Sequence, residues 1–518
     1  MADLCIKYGK KLMARYRAYK TAEQGILELI LRVEHHWLRT ESQVEFLRSI
    51  WSVLADSLQV HQNNILQVLY LKLQEATMTM DQMIGTRSEE PSMQDVLSKS
   101  GPFRKVKFAL KLKDCLQKTL EDLSTWQEML DPSWFLMIRV PSTVIDQQLS
   151  SPTLGSQSSL STIRSIREEL RTTDSNKEGS IFIGADILST TRLHIPFSFS
   201  QICHDTGSSD SVIVDPVLCD ALTDTKAMTR DIRNLARVLS KIDPLVFGLL
   251  SCRGVIRCLN ANNDLSRFEF VFKIPPTLHN PTSLRAILAQ GRDNHALNDR
   301  LDLAKQLASS VLFIHNAQFV HKNIRPETVL VLESDSSGVG VPFLVGFEKF
   351  RPIDRHTHRA GDSRWERNLY RHPKRQGLIL EEDFTMQHDV YSLGVCLLEI
   401  GLWISFVLWQ ATADEPSPNP ILGFDDLLKL KDERKKAFEI KNILVAMAKE
   451  RLPHKMGKRY TEIVVACLTC LDKGVTTLGE ESDFEDEDGI LVAVRYIEKV
   501  STVLRLLVSV ITGVANGM

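Results

Sequence analysis

The sequence predicts a multidomain chain, with an all-α helical bundle at the N-terminus and an α+β region after it. Three observations predict this. Apolar residues recur at three- and four-residue steps through residues 1–140, the period of buried helix faces. Near residue 180 the pattern changes to short apolar or alternating runs bounded by turn residues, the mark of strands. From Ser283 onward the helical period returns.

In the first region, Leu47, Ile50, Trp51, Leu54 and Leu58 form one stripe. Phe108, Leu112, Leu116, Leu120, Leu123, Trp126 and Leu130 form another over about six turns, with Pro102 as its start and Asp131-Pro132 as its stop. Met78–Ser100 is polar, contains Gly85 and Pro91, and reads as a loop. Helices with such stripes must bury them against each other, so residues 1–140 are expected to form a bundle. Residues 141–178 read as a linker, because Gln148–Ser165 is rich in Ser and poor in large apolar groups. A short helix, Ile163–Leu170, is expected inside it. Residues 179–278 carry the strand candidates Ile181–Ile183, Ser211–Val214, Gly254–Ile256 and Phe268–Ile274, with one helix at Thr225–Ile242. Residues 279–518 read as mainly helical, with helices at Leu297–Asn316, around Asp389–Val395, at 461–471 and at 491–511.

Composition excludes several classes. Of 518 residues, 43% are hydrophobic and 25% charged, ordinary for a globular protein. The net charge of −2 gives no global field for nucleic acid, so no nucleic-acid partner is expected. Nine scattered cysteines fit a reducing compartment. Cys467 and Cys470 share a helical run with no second pair to complete a zinc site, which favours core packing. The basic first twenty residues lack the continuous apolar core of a secretory signal. The apolar run Val500–Val510 is interrupted by Ser501, Thr502, Arg505 and Ser509, too polar for a membrane span. A soluble, cytoplasmic protein is the expectation.

The most informative stretch is His321-Lys-Asn-Ile-Arg-Pro-Glu-Thr328, followed after eighteen residues by Gly346-Phe347-Glu348. Asp389-Val-Tyr-Ser-Leu-Gly-Val395 comes later. Together these resemble the catalytic loop, metal-binding turn and central C-lobe helix of protein kinases, whose pattern is His-Arg-Asp-Leu-Lys-Pro-x-Asn and then Asp-Phe-Gly. The resemblance covers about residues 180–515 and implies a two-lobed protein-kinase-like fold, with the N-lobe at 179–278 and the C-lobe at 279–518. It also implies that His321 braces the catalytic loop, that Asp389 anchors its backbone, and that Phe347 packs into the core.

Measured against that pattern, the chemistry is depleted. Asn323 stands at the catalytic Asp, Thr328 at the metal-binding Asn, and Gly346 at the metal-binding Asp. An amide cannot take a proton as a carboxylate does, and magnesium favours oxygen ligands, above all carboxylates. Glu348 falls on the family's glycine; it is read as a solvated or structural carboxylate, with a substitute metal ligand as the rival reading. No lysine occurs between Lys177 and Lys226, and Asp215 follows the strand that resembles Val-Ala-Ile-Lys. No glutamate occurs between Glu178 and Glu269, and Gly179–Gly184 is not a Gly-x-Gly-x-x-Gly loop. Lys374 replaces the Glu of Ala-Pro-Glu, so its ion pair to the late arginine, for which Arg459 is the candidate, cannot form. Arg325 keeps a cation where the family has Lys and could hold a phosphate or a neighbouring carboxylate. The expectation is a catalytically impaired pseudokinase acting through an unidentified protein partner, with no resident metal or cofactor. A divergent kinase binding Mg-ATP and a membrane-active helical executor formed by residues 1–140 are the alternatives.

The N-terminal region carries a second resemblance. Ala2-Asp-Leu-Cys-Ile-Lys-Tyr-Gly-Lys10, Phe103-Arg-Lys-Val-Lys-Phe-Ala-Leu110 and Leu130-Asp-Pro-Ser-Trp134 resemble HeLo-type helical domains of filamentous fungi, some of which execute cell death or incompatibility through membranes. That family carries an apolar segment ahead of the motif starting here at Ala2, so either the start is truncated or the membrane-active part is absent. The basic run Arg104, Lys105, Lys107, Lys111 and Lys113 reads as a solvated helix face, with anionic lipid as the alternative contact for residues 1–140. The acidic run Glu480–Asp488 reads as an exposed loop or a docking segment for a basic partner.

Overall fold

The structure is a computed structural model that describes residues 1–19, 24–84, 102–138, 140, 142–150, 158–171, 181–208, 210–219, 224–291, 295–335, 338–347, 350–352, 364–376, 384–409, 415–424, 427 and 430–472. The chain divides into two compact units, Met1–Arg164 and Ser165–Met518.

The first unit is helical. Helices α1 (Ala2–Arg17), α2 (Gln24–Ile50), α3 (Asp56–Ile84) and α4 (Pro102–Trp134) pack around a core that includes Leu12, Tyr16, Ile30, Trp37, Leu66, Leu116 and Trp126. Polar groups in this core are tied pairwise: Tyr16 meets Thr119 at 2.7 Å, and the Gln127 amide donates to Thr40 at 3.0 Å. Gly9 lets Trp37 lie against α1, since a Cβ there would come within 1.8 Å of its ring. Three sequence expectations are corrected. Met78–Ile84, read as the start of a loop, is the last part of α3, with Met80 buried; residues 85–100 of that stretch lie outside the described residues. The Leu47–Leu58 stripe is not one helix, because α2 ends at Ile50 and a 3-10 turn, Trp51–Val53, intervenes; Leu54 and Leu58 are buried on the far side of it. Pro132 does not stop α4, which runs on to Trp134, whose ring is buried 5.3 Å from Phe46. A proline so near the end removes one intrahelical bond, and aromatic burial there offsets the loss.

The stretch 141–178, expected to be a linker with one short helix, carries α5 (Thr143–Leu149) and α6 (Ser158–Arg171), the latter covering the expected Ile163–Leu170. Ser142 caps α5 through the Ile145 N–H, and Ile145, Leu149, Leu160, Ile163 and Ile166 are buried. Few apolar groups suffice here because nearly all of them are inward.

The second unit opens with a strand-rich half. Strands β1 (Phe182–Ile183), β2 (Leu193–His194), β3 (Gln201–His204), β4 (Ser211–Leu218), β5 (Cys252–Leu259) and β6 (Leu265–Lys273) form one six-stranded sheet in the order β1-β5-β6-β4-β3-β2. Helix α7 (Thr225–Leu239), capped by Asp224, packs its Ile232–Leu235–Leu239 face beside this sheet. A one-turn helix α8 (Pro244–Phe247) follows. The helical half holds β7 (Leu278–Ser283), α9 (Leu284–Ala289), α10 (Leu297–Asn316), β8 (Phe319–Val320), β9 (Val329–Ser334), β10 (Val341–Leu344), α11 (Trp365–Asn368), α12 (Met386–Leu402), α13 (Glu433–Met456) and α14 (Lys458–Leu468). Every residue of α12 from Gln387 to Leu402 is buried, which makes it the axis of this half. Strand β9 lies between β10 and β7, directly after the 321–328 loop. The expected helix at 491–511 and the acidic run Glu480–Asp488 lie outside the described residues. No described helix is long and apolar enough to cross a membrane.

Candidate functional site

The site forms where the loop between β8 and β9 faces β4, β6 and the turn after β10. A carboxylate fixes the loop from below. Asp389, fully buried at the start of α12, accepts the backbone N–H groups of His321 at 2.7 Å and Lys322 at 2.8 Å, and meets His315 Nε2 at 3.1 Å. Burial alone would raise its carboxyl; the His315 hydrogen bond and that from the His321 backbone N–H outweigh it and hold the group below the usual carboxylate range. These bonds hold Lys322 at φ +65°, a left-handed conformation costly for a non-glycine residue. His321 donates from Nε2 to the Val345 carbonyl at 3.1 Å, and its Nδ1 accepts the Asn323 N–H at 3.3 Å. Burial pushes its pKa down to about 4, so the ring is neutral at pH 7. Phe347 is 1% exposed, 4.9 Å from the His321 ring and near Phe270 and Phe272 of β6, so one aromatic cluster joins the sheet to the loop.

The positions that would carry catalysis are committed to internal bonds. Asn323 donates its amide to the Gly346 carbonyl at 3.1 Å, and its oxygen accepts from Arg325 Nε at 3.0 Å. The Thr328 hydroxyl lies 2.7 Å from the Asn323 carbonyl and 2.9 Å from the Arg325 carbonyl, closing its own loop. Its methyl faces Gly346, where an added Cβ would fall 2.4 Å from Thr328 Cγ2. Gly346 has φ +83°, a conformation that favours glycine. Across from it, Asp215 of β4 is 1% exposed. Its Oδ2 accepts the N–H groups of Gly346 at 2.9 Å and Phe347 at 3.2 Å, and its Oδ1 accepts from the Ser200 hydroxyl at 2.8 Å. Two consecutive backbone N–H groups aimed at one oxygen form an anion-binding nest, and here the chain's own carboxylate fills it. Glu348 lies outside the described residues.

Residues 272–403 match the family model of protein tyrosine and serine/threonine kinases. A probable serine/threonine-protein kinase of Dictyostelium discoideum is 26% identical over 178 residues, 33% of this chain and 9% of that protein. This chain carries a protein-kinase-like domain. It therefore spans less than a tenth of the length of that relative.

Arg325 of the kinase-like domain is buried, 3.8 Å from Glu327, and its Nη2 has no hydrogen-bond partner among the described residues. Arg459 is exposed at the start of α14, whereas Lys374 is half-buried in the 3-10 turn Pro373–Arg375. Sequence reasoning missed the domain's main buried ion cluster. Arg285, with no exposed surface, donates to Glu327 at 2.9 Å, Glu399 at 2.7 Å and Ser405 at 2.9 Å, and also bonds the Tyr370 hydroxyl. Tyr370 donates in turn to Glu399 at 2.7 Å. Burial raises the Glu399 carboxyl, while Arg285 and Arg325 outweigh burial at Glu327 and lower it. The available signal was Glu399 itself, one acid inside the apolar run Leu393–Leu402. Asp215 was legible as an acid in place of a lysine, but its bond to a turn 131 residues away was not.

Proposed function

We propose that the kinase-like domain is a pseudokinase: a catalytically impaired interaction module that couples a protein signal to the helical N-terminal unit. The observation that carries this reading is Asp215. Phosphoryl transfer depends on cations, a lysine and metal ions, placed around the nucleotide phosphates. Here a carboxylate stands on the strand that would present the lysine, and it is bonded to the turn that would present the metal ligand. A triphosphate would meet negative charge there, with repulsion of a few kcal/mol at an effective dielectric of about 20.

The other positions support the same reading. Gly346 supplies no side chain, the Thr328 hydroxyl is spent within its loop, and Asn323 presents an amide to a carbonyl. This donor set does not fit magnesium, and no step of phosphoryl transfer is derived through it. The Dictyostelium relative is named a probable kinase; the reading departs from that name on these residues alone. The resemblance of residues 1–140 to HeLo-type domains supports an effector role for the helical unit in cell-death or incompatibility signalling.

The test is a thermal-shift titration of the full chain with Mg-ATP, joined to a phosphotransfer assay with labelled γ-phosphate. The expected result is no shift and no incorporated label. Autophosphorylation that disappears in an Asn323→Ala variant would overturn the proposal.

A further inference from the structure

We infer that Ile195–Ser200, the tip of the β2–β3 hairpin, is an intramolecular strap that holds the cleft between the lobes shut without a ligand. This goes beyond the catalytic reading, because such a strap would close an active site and an impaired one alike.

Four ties bind the tip to elements of the helical half or to the Asp215 bridge. The Pro196 carbonyl accepts the Ser283 hydroxyl at 2.5 Å, from the residue that caps α9. Phe197 packs 6.1 Å from Trp409. The Phe199 ring receives the Arg325 guanidinium at 5.9 Å and that of Arg367 at 5.8 Å, so the catalytic loop and α11 converge on one side chain. Ser200 donates to Asp215, which itself holds Gly346 and Phe347. The hairpin tip therefore reaches the metal-turn backbone through a chain of two hydrogen-bonded side chains.

The strap is also poised to release. Phe197 sits at φ +59°, a conformation that bulky residues keep only where the surroundings over-determine it. Ile195 is buried, but Phe197 is 39%, Phe199 54% and Trp409 43% exposed, so hydrophobic burial fixes only the first residue of the tip. What holds the rest is cation–π contact and single hydrogen bonds, each weak in itself. The groups beneath are the reverse: Asp215 and Arg325 are nearly inaccessible, as is Ser200 at the tip's own end. Lifting the tip would uncover buried charge without breaking a ladder of the central sheet.

Hydrogen exchange of the full chain, read by mass spectrometry, tests this. In the wild type, amides in 195–201 and 345–347 are expected to be protected. Phe199→Ala removes two cation–π contacts at an exposed residue and should speed exchange in both segments roughly tenfold, with 265–273 of β6 unchanged. Ser283→Ala should act in the same direction on 195–201. Unprotected amides at 195–201 in the wild type would overturn the strap, as would a Phe199→Ala variant whose 345–347 segment stays as protected as before. Phosphotransfer by the wild type would defeat the pseudokinase reading and leave these outcomes untouched, so the two proposals fail separately.

Discussion

Placing an acid at position 346 is the direct way to ask whether the site lacks one carboxylate or has been rebuilt around its absence. Gly346→Asp meets three obstacles. The backbone at φ +83° disfavours any side chain, at about 1 kcal/mol. The new Cβ would lie 2.4 Å from Thr328 Cγ2 and 2.8 Å from Thr328 Cβ, an overpacking cost of roughly 1–3 kcal/mol. The new carboxylate would stand beside Asp215, whose Oδ2 is 2.9 Å from the Gly346 nitrogen; two carboxylates at a separation on the order of 5 Å repel by about 3 kcal/mol at an effective dielectric near 20. The sum, roughly 5–7 kcal/mol, is comparable to the whole stability of a domain, about 5–15 kcal/mol.

The assay is urea unfolding of wild type, Gly346→Asp, Asp215→Asn and the double variant, with Mg-ATP thermal shift on each. Gly346→Asp should be strongly destabilised and gain no nucleotide binding. The double variant should recover about 3 kcal/mol relative to the sum of the singles, because the repulsion is gone. A Gly346→Asp protein within about 1 kcal/mol of wild type that binds Mg-ATP would refute the reasoning, since the site would then be one residue from a working metal turn.

Two further outcomes follow from buried charge. Arg285→Met strands Glu327 and Glu399 in the interior and should cost about 3–5 kcal/mol in urea unfolding; a loss under about 1 kcal/mol would mean the cluster is not ionised as drawn. Burial lowers His321 to about 4, His388 to about 3 and His372 to about 2, so all three are neutral when folded and protonate first in the unfolded chain. Stability should be full above about pH 6.5 and fall as pH drops, by about 2 kcal/mol per histidine at pH 5. Flat stability between pH 7 and 5 would contradict this, and an onset only near pH 4 would point to the lowered carboxylates Asp389 and Glu327 instead.

Legibility in the sequence followed distance along the chain. The 321–328 loop, the 346–348 turn and the Asp389 helix could be read because each is contiguous and their order is informative. The α+β division could be read because the apolar period changes near residue 180 and again near Ser283. Strands β1 and β2 have two residues each, too few for an alternation to register, and of the two only β1 falls on a strand candidate, Ile181–Ile183. Ser200, Phe199 and Arg285 act through partners many residues away; Arg285 and Glu399 are separated by 114 positions. A single buried arginine in Leu284–Ala289 looks, from sequence, like any arginine on a helix surface.

The departures from the kinase pattern fit one geometry. Without a side chain at 346, the Thr328 methyl can lie against the turn, and an Asp there would collide with it. The left-handed Gly346 turns its own N–H and that of Phe347 toward one point, and two buried donors without a partner would cost about 1–3 kcal/mol each. Asp215 answers both at once, and a lysine at the same position could answer neither, since it has no acceptor. Each residue is thus required by the next: the acid on β4 by the nest, the nest by the glycine, and the glycine by the threonine beside it. A site eroded at random would leave orphaned donors and voids at these positions. Here the backbone donors of the turn are paired, and the pairing runs outward through Ser200 to the strap.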